Sequence, residues 1–159
     1  MRFDKYENVL ISSDAFEYTF TSEGPKGQFQ KIIQFIETNE SGIYNLAFGD
    51  LLEDGGVNDY VKNDNKDRDK ILATVVYTVY EFTSRYPENS IFFAGSSPDR
   101  TRLYRMAISN NLTELSIDFE IFGVNFHDGY YHAEIFQKGK NILAFYVNEK
   151  SLILFCYNA

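Results

Sequence analysis

A chain of 159 residues is sized for one domain (1–159) that buries about two-thirds of its unfolded surface. Its net charge of −8 excludes a protein that coats duplex DNA by bulk electrostatics, although a local basic patch can still bind nucleic acid. A lone cysteine, Cys156, excludes an internal disulfide framework and suits a reducing compartment. With neither a leader-like apolar start nor a run of ~20 apolar residues, the cytoplasm is the expected location.

In chain order, Phe16, Tyr18 and Phe20 alternate with polar residues, which predicts a half-buried strand. The turn Ser22-Glu23-Gly24-Pro25-Lys26-Gly27 then leads into a second alternating run over 28–37, with Phe29, Ile33 and Phe35 on one face. A third strand is expected over 43–52 and a short fourth over 57–61. Acidic residues crowd 50–69, but a calcium loop beginning at Asp64 lacks the required glycine and glutamate, having Asp69 and Val75 in their places. No metal site is therefore expected.

The longest helix is predicted over 65–86, with Ile71, Leu72, Val75, Val79, Phe82 and Tyr86 as its apolar face. Pro87 ends it by disfavouring helical geometry at Tyr86. Arg68 falls within that apolar face, so it should find a carboxylate, with Asp50 and Asp69 as the expected partners; snorkelling is the alternative. Beyond 119, strands are expected over 120–126, 130–137, 141–147 and 152–157, forming a meander. The element order predicts an α+β fold: mainly antiparallel curved sheet packed against one long helix, with a second, Arg-rich helix.

That second helix draws the functional argument. Ile91-Phe92-Phe93-Ala94 reads as a strand, Gly95-Ser96-Ser97 as a turn, Ser97 as the N-cap and Pro98 as the first helical residue. Arg100, Arg102 and Arg105 follow within two turns, at the end where the helix dipole disfavours cations. At ~100° per residue, Arg100 shares a sector with Leu103, Tyr104, Met106 and Ala107, while Arg102 and Arg105 lie opposite. Either carboxylates neutralise these cations, or a phosphate does, with Ser96, Ser97, Arg100, Arg102, Tyr104 and Arg105 around it.

His127 and His132 are the only histidines, flanking a predicted turn with Asp128 between them. They are suited to acid–base chemistry or, with Asp128, to a metal, yet turn histidines also serve simply as polar surface. Cys156, among Ile153, Phe155 and Tyr157, reads as a small apolar residue. No Walker loop, GxGxxG, GxSxG or zinc spacing is present. Catalytic residues thus stay unassigned, the balance leans away from an enzyme, and no cofactor is expected.

The runs SEGPKGQFQKIIQ (22–34), YNLAFGDL (44–51), NKDRDKILATVVYTVYEFTSRYP (65–87) and, most distinctively, GSSPDRTRLYRMAISN (95–110) resemble an uncharacterised domain-of-unknown-function family of short bacterial proteins. The resemblance extends to about residue 125 and implies a complete small bacterial protein, but it supplies neither substrate nor catalytic residues. The element order also resembles Whirly- and PUR-type single-stranded nucleic-acid binders at fold level. Three functions follow as expectations. The first is binding of a phosphate-bearing ligand, either a nucleotide or single-stranded nucleic acid. The second is a protein-interaction role in a two-component regulatory or toxin–antitoxin-type pair. The third is a nuclease or nucleotide-processing enzyme. The sequence leaves the oligomeric state open.

Overall fold

The computed structural model describes residues 4–58 and 65–150. The expected 152–157 strand, Cys156 and most of the expected fourth strand lie outside them. Among the described residues the fold is α+β: a mostly antiparallel, nine-stranded open sheet with three helices. The chain divides into two compact units, Met1–Ile36 with Leu46–Tyr86, and Glu37–Asn45 with Pro87–Ala159.

In the first unit the strand order is β1 (Leu10–Ile11), β2 (Glu17–Gly24), β3 (Gly27–Glu37) and β4 (Ile43–Leu51), with β5 (Val57–Asn58) paired to β4. The β2–β3 hairpin forms as expected, in a register that puts Tyr18 opposite Ile33 and Gly24 opposite Gly27. Tyr18, Phe20 and Ser22 are buried on β2, and Lys31, Ile33 and Phe35 on β3. A cation therefore stands in a row of hydrophobes. Lys31 is ion-paired to Asp50 on β4, which is how a buried ammonium is tolerated.

Helix α1 (Arg68–Arg85) ends at Tyr86 as Pro87 dictates, but its buried face is not the expected one. Ala73, Thr74, Thr78, Phe82 and Thr83 are buried, while Leu72, Val75 and Val79 are half-buried. The reason is hydroxyl chemistry. Thr74 Oγ1 donates to Lys70 O, Thr78 Oγ1 to Val75 O, and Thr83 Oγ1 to Val79 O. A threonine whose hydroxyl is satisfied by its own helix behaves as a small hydrophobe. Phe82 completes the 74–78–82 row and stacks on Phe35 with centroids 4.1 Å apart and planes at 5°.

In the second unit the order is the first residues of β4, then β6 (Ser90–Phe93), β9 (Ala144–Glu149), β7 (Phe119–His127) and β8 (Tyr130–Ile135). Ile43–Asn45 runs parallel to β6, and the remaining pairs are antiparallel. The expected simple meander is thus corrected, because β9 inserts between β6 and β7. Burial explains this: Ala144, Phe145 and Val147 are buried, which suits an inner strand, whereas β8 is largely exposed and takes the end. The strand expected over 141–147 starts later, after a turn in which Gly139 has φ 87°. Helices α2 (Pro98–Asn110) and α3 (Leu112–Asp118) join β6 to β7.

Candidate functional site

The start of α2 is built as its sequence implies. Ser97 is extended (φ −143°, ψ 162°), its side chain accepts from the Arg100 N–H at 3.3 Å, and Pro98 follows. Thr101, buried one turn on, donates to Ser97 O at 3.2 Å and accepts the Gly95 N–H at 3.0 Å. Gly95 is required there: a Cβ at that position would lie 2.2 Å from Thr101 N. The turn thus spends several of its donors on itself. Pro98 has no N–H, those of Gly95 and Arg100 are taken, and Asp99 places a carboxylate in the first turn. Ser97→Ala should therefore cost about 1 kcal/mol, measured by urea denaturation; a loss below a few tenths would mean the cap contributes little.

The arginines then separate. Arg100 is half-buried and Arg102 exposed. Arg105, expected on the polar side with Arg102, is half-buried between Thr101 and Ile108, the two buried residues of α2, while Met106, placed in the apolar sector, is 45 % exposed. The helix is rotated relative to its apolar pattern because Thr101, with both hydroxyl roles filled, occupies the inner side. Arg105 is held there by a neutral group: its Nη1 donates to Asn141 Oδ1 at 2.6 Å. Among the described residues no carboxylate pairs with Arg102 or Arg105. Tyr104 meets Phe93 edge-on at 5.8 Å.

Asn141 links this helix to the β7–β8 hairpin, since Asn125 Nδ2 donates to Asn141 O at 3.1 Å. Asn125 faces His132 across the ladder, and His127 faces Tyr130. All four share one face of the sheet, because alternate residues of paired strands point the same way. The two imidazoles lie parallel, 3.8 Å between centroids. His132 Nε2 is 3.2 Å from His127 O, and His127 Nδ1 is 3.6 Å from Asp128. The turn itself is Asp128 at φ 55° and Gly129 at φ 81°, the left-handed pair that a two-residue hairpin loop demands. Among the described residues no group of three histidines, cysteines or carboxylates is placed to hold a metal ion. Reading residues singly brings neither Asn141 nor Asn125 forward; a neutral amide beside an unpaired arginine has no sequence signature.

The residues singled out for structural pairing lie in the first unit and behave differently. The ion pair at Asp50 is with Lys31; Arg68 and Asp69 are exposed at the start of α1. There they line an open cleft of about 730 Å³ with Asp4, Tyr6, Glu23 and the Lys66–Lys70 run. Position Asp67 is the N-cap, yet its carboxylate makes no cap bond. It accepts instead from Tyr6 Oη and Ser22 Oγ, both at 2.5 Å. Burial, followed by the bond to Asp67, pushes the Tyr6 hydroxyl above the usual phenol range. This knot fastens the N-terminal segment, the β2–β3 hairpin and α1, and the cleft beside it carries charges of both signs.

The class of protein so defined is an α+β domain with a cationic helix laid beside an antiparallel hairpin. Its sequence matches the model of a family of unknown function, DUF6934, over residues 2–150, and the chain belongs to that family. Neither a curated protein nor a solved structure matches it. Among the described residues no helix is long and apolar enough to cross a membrane.

Proposed function

We propose that the second unit binds a phosphate-bearing ligand, a nucleotide or single-stranded nucleic acid, with Arg102 and Arg105 as its phosphate contacts. One observation carries this reading. Two guanidinium groups stand one helical turn apart without a carboxylate partner among the described residues, and one of them is aimed by a neutral amide, Asn141. An amide orients a guanidinium without cancelling its charge, leaving donors for an anion. Arg100, Ser96 and Ser97 flank the site, although the Ser97 hydroxyl is engaged in capping. With Tyr104 committed to Phe93, base stacking falls to Tyr130, 73 % exposed on the face that carries Asn125. We propose a reducing bacterial cytoplasm as the setting of this activity, a compartment that a chain with a single cysteine suits.

A second reading, a nuclease or nucleotide-processing enzyme, draws on the stacked His127–His132 pair on that same face. Loss of phosphodiester hydrolysis in His132→Ala, with binding retained, would favour it.

The test of binding is fluorescence anisotropy with a short labelled single strand and with a nucleotide, over a range of salt. Affinity should fall as salt rises, by about 0.7 log units per log unit of salt for each phosphate neutralised on a single strand. Arg102→Ala with Arg105→Ala should weaken binding at least ~10-fold, which is about 1.4 kcal/mol, and flatten the salt slope by about 1.4. Unchanged binding in the double variant would remove the site. Lost binding together with a large drop in Tm would make these arginines structural.

A further inference from the structure

We propose that β8 is a self-complementary edge through which two copies of this chain pair, antiparallel, into one continuous sheet. Among the described residues β8 is the last strand of the sheet, paired only with β7. Its burial differs from that of every inner strand: both faces are open, with Tyr130 73 %, Tyr131 74 % and Ile135 73 % exposed. Such an edge is a template for another strand unless something blocks it. There is no proline in it, its register with β7 is uninterrupted, and its one carboxylate, Glu134, is the residue before its last and lies 3.6 Å from Lys140 Nζ.

The occupant follows from register and charge. In an antiparallel ladder, alternate residues direct their N–H and C=O to the same neighbour. Phe136 N donates to Ile121 O at 2.9 Å, so even-numbered residues here face β7. Tyr131, Ala133 and Ile135 therefore offer their backbone groups outward. A two-fold axis at Ala133 pairs Ala133 with Ala133, and Tyr131 of each copy with Ile135 of the other, which uses all three outward residues. The same register sets His132 opposite Glu134 of the other copy, twice, as the closer non-hydrogen-bonded pairs. An aromatic–β-branched pair and an imidazole–carboxylate pair are both favourable across strands. Shifting the axis to His132 instead puts the two imidazoles face to face and loses an outward pair. The strand is thus matched to itself, and an isologous dimer closes with no edge left at this end.

Sedimentation of the full chain tests this. The wild-type protein should shift from one to two chain masses as its concentration rises through the micromolar range. Ala133→Pro removes an outward N–H that the chain's own ladder does not use, so it should stay monomeric with unchanged circular dichroism. Glu134→Lys, an exposed change, should weaken the dimer at least ~10-fold by removing the acceptor opposite the His132 imidazole. Adding His132→Glu to Glu134→Lys should restore it by setting a carboxylate opposite the new ammonium. A wild-type chain that stays monomeric would overturn the proposal, as when another segment or a different protein covers this edge. So would a dimer that survives Ala133→Pro, or a charge swap that fails to restore pairing.

Discussion

Phe82→Ala should destabilise the protein by about 3–5 kcal/mol, the range for removing a fully buried aromatic ring. The ring is 0 % exposed. It lies flat on Phe35 and touches Phe16 and Tyr86 at centroid distances of 6.2 and 5.4 Å. Those rings come from β3, from the entry to β2 and from the end of α1, so none can collapse into the void without dragging its own backbone. Phe82→Leu keeps part of the volume and should lose clearly less. Urea denaturation followed by circular dichroism reads both; a loss under 1 kcal/mol for the alanine variant would mean the stack is not the centre of this unit.

A comparable loss is expected from breaking the Lys31–Asp50 pair on one side only. Lys31 is 6 % exposed and the Asp50 side chain 17 %, so Asp50→Leu leaves an ammonium with little access to water. Stranding a buried charge costs about 3–5 kcal/mol. Replacing both, Lys31→Met with Asp50→Leu, should recover most of that, because the hydrophobic pair has no charge to desolvate. Equal losses for single and double variants would show that each residue acts through separate contacts.

How much of this was legible depended on whether a residue's chemistry was local. The β2–β3 hairpin could be read because alternation and turn residues are adjacent in the chain. The start of α2 could be read because Ser97 and Pro98 act within one turn. The burial of Thr74 and Thr78 was hidden, since a hydroxyl bonded to its own helix looks polar in any pattern. Lys31 was hidden because its partner lies 19 residues away on another strand. The inner position of β9 was hidden for the same reason: strand order is decided by which strands bury both faces, and an apolar run does not say which neighbours it will have. For the candidate site, Arg102 and Arg105 were legible as uncompensated cations, whereas Asn141, which aims one of them, was not.

The threonine-lined face of α1 bears on how the chain reaches its fold. Ile71, Thr74, Val75, Val76, Thr78, Val79 and Thr83 are β-branched, and each is a poorer helix former than alanine by up to about 0.7 kcal/mol. Hydroxyls that return to the helix offer an unfolded chain competing local bonds, and the carboxylate at the N-cap is drawn off to Tyr6 and Ser22. Packing of Phe82 and the threonine row against strands β2 and β3 therefore supplies the stability that the helix's own propensity lacks.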